Sequence, residues 1–132
     1  MVKVLSIKEP FASLIANNIK HIETRSWKTN YRGEIYIHAS LTINPLKGRD
    51  ELKEIVKKLE LKPSYILCKA TLKDCLLIDK EFLNKIKENH LEYICGHYEE
   101  GRYAWVLTDI EKIKPLSVKG KLGIWNYENE DL

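Results

Sequence analysis

No stretch of this 132-residue chain is long and apolar enough to cross a bilayer. Its longest apolar runs, such as "YILCKA" and "CLLI", fall far short of the ~20 residues a spanning helix needs. The start, "MVKVLSIKEP", lacks the apolar block of a secretory signal, so the expectation is a soluble, cytoplasmic protein without a membrane partner. Cysteine is scarce: Cys68, Cys75 and Cys95 are odd in number and show no C-x-x-C spacing. That argues against a disulfide framework and against a zinc site, and the thiols are expected to be reduced and buried. His21, His90 and His97 show no ligand spacing with them, and neither metal nor cofactor is assigned. Internal repeats, low-complexity segments and linkers rich in Gly, Pro or Ser are all missing. With 44% hydrophobic and 31% charged residues, positions 1–132 read as a single domain around one core. A dominant charge sign is missing too. The net charge of +3 permits a nucleic-acid partner without requiring one, so what matters is where cations cluster. They do so in "KHIETRSWKTNYRG" and again in "SVKGKLG".

What is present is a legible series of elements. "VKVLSI" is a first strand, and Pro10 suits the first turn of a helix in which Phe11, Leu14 and Ile15 share a face, with Ile19 one turn further. Asn17 and Asn18 end it, because Asn tolerates the left-handed conformation that stops helices. The second strand lies in "IKHIETRSWKTNYRG", whose closing "NYRG" turns the chain into a third, "EIYIHAS", with Ile35, Ile37 and Ala39 opposite Tyr36, His38 and Ser40. "GRDELKEIVKKLEL" is predicted helical, burying Leu52, Ile55, Val56 and Leu59. "SYILCKATLKDCLLI" is a long strand, Asp79 an N-cap for "KEFLNKIKEN", and "RYAWVLTDIEKI" and "KLGIWNY" are the closing strands. Trp105 and Trp125 read as core or edge aromatics. The order β-α-β-β-α-β-α-β-β points to an α+β fold with a curled, mainly antiparallel sheet.

The second strand carries the candidate chemistry. Side chains two apart on a strand project together, so Glu23, Arg25 and Trp27 share one face, with Lys20 just before them and Lys28 and Arg32 just after. Facing water, this is an ordinary solvated strand; facing a cleft, it is a site. Arg25 beside Glu23 favours an ionised carboxylate able to accept the exocyclic amine of a base, while Arg25 and Lys20 hold a phosphate or carbonyl oxygen. Trp27 offers a plane on which a base stacks. His38 on the third strand is a further candidate, although a lone His on a strand is more often structural.

With "LSIKEPFASLIANNIKHIETRSWKTNYRGEIYIHAS", "SYILCKATLKDCLLI" and "YAWVLTDIEKIKPLSVKGKLGIWNY" in family order, the chain resembles the ASCH family, named for homology to the activating signal cointegrator and related to the PUA fold. The most specific element is the family's G-x-K-x-x-E-x-R pattern, here Asn18, Lys20, Glu23 and Arg25. The following Ser26, Trp27, Thr29, Arg32 and Gly33 look most like the cointegrator branch. Asn18 stands for the family glycine, Phe11 where Trp is frequent and Glu9 where Gln is frequent; these departures bear on ligand preference rather than on fold. The resemblance implies a PUA-like small mixed or antiparallel β-barrel with flanking helices, and a cleft between the first helix and the strand carrying Lys20, Glu23 and Arg25.

The resemblance also implies a link to RNA, and one bacterial branch hydrolyses the acetyl amide of N4-acetylcytidine with a Lys, a Thr three residues on and a distant Glu. Lys20 matches the Lys, but Glu23 occupies the Thr position and Thr24 lies one place on, expected on the opposite face. The leading expectation is therefore a binding module for RNA or single-stranded nucleic acid, the nucleotide ordinary or modified. Lys20, Glu23, Arg25, Trp27, Lys28, Arg32 and His38 are its candidate ligand-binding residues. The alternatives are an amidohydrolase of a modified nucleoside, working through Lys20 and Glu23, and a protein-interaction module.

Overall fold

The computed structural model describes residues 1–132. Alternating apolar and polar residues give six strands, and the short amphipathic stretches between them give four helices. In chain order these are β1 (Val2–Glu9), α1 (Phe11–Ala16), β2 (Ile22–Arg25), β3 (Gly33–Ile43), α2 (Asp50–Val56), β4 (Tyr65–Leu77), α3 (Lys80–Ile86), α4 (His90–Ile94), β5 (Tyr103–Ser117) and β6 (Ile124–Tyr127). One sheet holds all the strands in the order β2-β5-β4-β3-β1-β6. Four neighbouring pairs are antiparallel, as expected, and only β1 and β3 run parallel. That pair is joined through α1 and β2, the long crossover a parallel connection demands.

The sheet curls without closing, which corrects the expectation of a barrel: β2 and β6 are its two edges and do not pair. Three register shifts along the β4–β5 ladder bend the long strands, because a bulge adds local twist. The edge strands, however, have only four residues each. One side chain spans the remaining gap. Arg25 on β2 donates to the Ser6 carbonyl of β1 at 2.6 Å, and the Ser6 amide donates to the carbonyl of Gly123, just before β6, at 3.1 Å.

Inside the curl, Leu5, Ile7, Ile35, Ile37, Ala39, Leu72, Trp105 and Leu107 form the main core with Ala12 and Ile15 of α1. Tyr36 on the other face of β3 is buried as well, against Val4, Ile66 and Trp125. A third cluster seats Leu14 against Leu52 and Cys95, with Ile55, Val56 and Leu59 partly buried at its edge; this is the stripe expected of α2.

Local chemistry sets the helix ends. The Glu9 carboxylate accepts from the Ser13 amide at 2.8 Å and its hydroxyl at 2.6 Å, tying the start of α1, and also takes the Lys62 amide at 3.0 Å. Asn18 has φ 61°, the left-handed conformation that ends the α1 turn. Asp79 caps α3 by accepting from Phe82 at 2.8 Å. Two expectations need correcting. Helix α2 stops at Val56 rather than continuing to Leu61: Lys58 and Leu59 close into tighter turns onto Ile55 and Val56, and Pro63 disfavours helix in the residue before it. Helix α4 was not expected at all. No helix is long and apolar enough to cross a membrane.

Candidate functional site

The pairing of β2 with β5 sets Glu23 opposite Trp105 and Arg25 opposite Tyr103, and period-two alternation sends Glu23 and Arg25 to the same side. Lys20, in the turn that Asn18 allows, joins them there. Its Nζ donates to the Cys95 carbonyl at 2.8 Å and lies 3.8 Å from Glu23 Oε1. The other oxygen of Glu23 is 3.4 Å from Arg25 Nη2, so one buried carboxylate answers two cations. Lys20 is only 1% exposed. Burial pulls its pKa below the ordinary lysine value; Glu23, Glu92 and Cys95 oppose that shift, and Arg49 adds to it.

Trp27 follows the strand and is 42% exposed. Its ring meets Trp105 edge-on at 4.7 Å, and the Trp105 indole donates to the Trp27 carbonyl at 3.2 Å. The Arg25 guanidinium lies 5.8 Å from the Trp27 ring. Lys20, Glu23, Arg25 and Trp27 thus line one cavity of about 480 Å³, walled also by Phe11, Lys8, Arg49, Arg102, Ser6 and the Gly96–His97 turn. That volume suits a single small ligand.

The remaining sequence candidates lie elsewhere. Arg32 donates to the carbonyls of Thr29 and Tyr31 and sits 3.6 Å from Asp74, while Lys28 is an exposed neighbour of Trp27 outside the cavity lining. His38 is buried behind the cleft wall and does not line it, its Nδ1 lying 3.5 Å from Ser6 Oγ. Its Nε2 is 2.7 Å from the Val118 carbonyl, its ring packs edge-on to Trp125, and Gly120 lies against it. The geometry makes it a tie between β3 and the chain leading to β6. Thr24, expected on the opposite face, does reach the lining of the cavity, with its Oγ1 accepting from the His97 amide at 3.1 Å.

Among the residues of the cleft region that escaped the sequence reading are Glu92 and Arg49, beside Lys8 and Arg102 of the lining. Glu92, buried on α4, accepts from the amides of His21 and Ile22 and from the His21 ring, so it fixes the turn that presents Lys20. Its signal was there: Asn89-x-x-Glu92 has N-cap spacing, and Asn89 does accept from the Glu92 amide. Arg49, in the loop before α2, carries no motif and reaches the cleft only through the tertiary fold. No group of His, Cys, Asp and Glu is arranged to hold a metal.

A coiled, open sheet with flanking helices and a cation-rich cleft beside its short edge strand belongs to the PUA-like class of folds. The ASCH domain model matches residues 5–117, and the chain belongs to that family. Among solved structures it is similar to the ASCH protein of Zymomonas mobilis, at 17% identity and a TM-score of 0.60, over 98% of this chain and 89% of that one. A tyrosine-to-phenylalanine mutant of the same protein gives 16% identity and a TM-score of 0.59, over 98% and 91%. No curated protein matches the chain in sequence. At these identities the structures speak for the fold alone.

Proposed function

We propose that the cleft binds one nucleotide of RNA or of another single-stranded nucleic acid. The observation that carries this reading is the charge balance of the lining: Lys8, Lys20, Arg25, Arg49 and Arg102 face a single carboxylate, Glu23, in a cavity flanked by the rings of Trp27 and Phe11. An excess of fixed cations in a concave site favours an anionic ligand, and an exposed indole at its mouth favours one with a flat face. Glu23, set between Lys20 and Arg25, supplies the acceptor that a base amine needs. PUA-like ASCH domains are generally associated with RNA binding, which supports the same reading. Amide hydrolysis has less support: Glu23 stands at the threonine position of the acetylcytidine-cleaving branch, and the Thr24 hydroxyl is tied to His97.

Fluorescence anisotropy of a labelled single-stranded RNA tests the proposal. Affinity is expected to fall as salt rises, because phosphate contacts release counterions. Trp27→Ala is expected to weaken binding by roughly 5- to 150-fold, the loss of one stacked base. Binding indifferent to both salt and this substitution overturns the assignment and favours a peptide ligand.

A further inference from the structure

The chain has four arginines, and three of them are spent on the protein itself. Arg25 donates to Ser6 and pairs with Glu23; Arg32 donates to Thr29 and Tyr31 and pairs with Asp74; Arg102 donates to His97 and Thr24. Arg49 is uncommitted. Its guanidinium meets no acceptor, and its Nη1 is buried without a hydrogen-bond partner. The carboxylates next to it in sequence are engaged elsewhere, Asp50 3.8 Å from Lys53 and Glu51 2.8 Å from the His90 ring. A buried donor left unmatched is a standing cost, and an arginine carries five donors in a planar fork shaped for an oxyanion.

Its position gives that cost a use. The Arg49 guanidinium lies 5.8 Å from the Phe11 ring, and the same ring has Lys20 Nζ at 5.5 Å. Glu23, the only carboxylate of the lining, is already shared between Lys20 and Arg25. Contacts therefore run in order from Arg49 through Phe11, Lys20, Glu23 and Arg25 to Trp27, which sets the uncommitted guanidinium at one end of the cleft and the exposed indole at the other. Lys20 cannot serve as the free cation, being buried and bonded to the Cys95 carbonyl.

We propose that Arg49 is the phosphate-recognising residue of the cleft. The ligand is then a phosphorylated nucleotide, free or within a strand, rather than a nucleoside, and its base lies toward Trp27. This rests on the nucleotide reading of the cleft. It adds a residue outside the Lys20–Glu23–Arg25 run and narrows the ligand class.

Calorimetric titration of wild type, Arg49→Gln and Arg49→Lys tests it. The probes are the four ribonucleosides, their 5′- and 3′-monophosphates, a mixed-sequence single-stranded RNA hexamer and inorganic phosphate. A monophosphate is expected to bind wild type about tenfold or more tighter than its nucleoside. Arg49→Gln brings the two together without lowering nucleoside affinity, Arg49→Lys keeps part of the difference, and inorganic phosphate competes with the nucleotide only when Arg49 is present. A hexamer far tighter than any mononucleotide identifies a strand as the source of the phosphate; equal affinities identify a free nucleotide. Arg49→Gln that leaves every affinity unchanged, or lowers nucleoside and nucleotide equally, overturns the Arg49 assignment. If Trp27→Ala still weakens RNA binding in that case, the cleft reading stands. Wild type that binds none of the probes overturns both.

Discussion

Replacing Lys20 with Met separates stability from function, because the structure places a charge where it costs the fold. Met keeps the unbranched stem and the approximate volume and removes only the ammonium. Taking such an ion out of water costs several kcal/mol even after relaxation. Against that, Lys20 has one charge-assisted hydrogen bond to the Cys95 carbonyl, worth about 1.5–3 kcal/mol, and a looser 3.8 Å pair with Glu23. Removing one partner of a buried pair normally strands the other. Here Glu23 keeps Arg25 at 3.4 Å, so no orphaned carboxylate offsets the gain. Below the folded pKa of Lys20, Lys20→Met is therefore expected to stabilise the protein by about 1–2 kcal/mol in urea unfolding, and to weaken RNA binding by taking one positive charge out of the cleft. The pH dependence follows from the lowered pKa. Below its folded value both states carry the charge and the wild type bears the full cost; between that value and 10.5 the native state has already released the proton while the unfolded chain has not. Wild-type stability rises across that window, and the advantage of Lys20→Met shrinks accordingly. Because the two proteins are compared at each pH, groups that Lys20 does not perturb, such as Cys68 and Tyr98, drop out of the difference. A variant destabilised by more than about 2 kcal/mol, or an advantage that grows toward alkaline pH, refutes the reasoning and makes Lys20 a structural clamp between the β2 turn and α4.

Gly120→Ala puts a methyl 2.6 Å from His38 Nδ1 and closer still to Cε1, against a ring held by Val118, and is expected to cost about 1–3 kcal/mol. In a His38→Ala background most of that cost disappears, and a double-mutant cycle by urea unfolding that finds the two changes additive removes the structural reading of His38. Burial pushes the Cys68 thiol up to about 12 and Cys95 up to about 11, so at pH 8 both remain protonated. An aromatic disulfide reagent is expected to titrate only Cys75 rapidly in the native protein and all three cysteines in urea; fast native reaction at Cys68 or Cys95, located by mass spectrometry, contradicts this.

What the sequence disclosed is what depends on near neighbours. Glu23 and Arg25 came out on one side because strand alternation needs no tertiary information. Asn18 sits at a left-handed turn and Asp79 at a helix cap because both roles are decided within three or four residues. Leu52 and its partners followed helical spacing onto a packed face. The same logic overextended α2, where apolar spacing continued through Leu59 and Leu61 but the backbone tightened into three-residue turns after Val56. His38 was ambiguous for the converse reason. Its tie to Val118 spans eighty residues, and nothing in "EIYIHAS" announces it. Arg49 is the extreme case: an arginine in a polar loop, indistinguishable in sequence from a solvated one, set into the cleft wall by the packing of Leu46 and Leu52 beside it against Leu14.

The barrel expectation failed at the place where the cleft forms, and both have one cause. A closed barrel requires its two outer strands to pair, yet β2 has four residues and is followed at once by Ser26 and Trp27, which leave the sheet. Ladder bonds that would have sealed β2 to the far side of the curl are replaced by one guanidinium on the Ser6 carbonyl. A side chain spanning a gap leaves space beside it, where a hydrogen-bonded ladder leaves none. That space is the cavity lined by Lys20, Glu23 and Trp27, so an Arg25 that braces the open edge and an Arg25 that faces a ligand are the same residue in the same position. Substituting Arg25 consequently disturbs fold and binding together, whereas Arg49, whose guanidinium meets no acceptor in the protein, reports on the cleft alone.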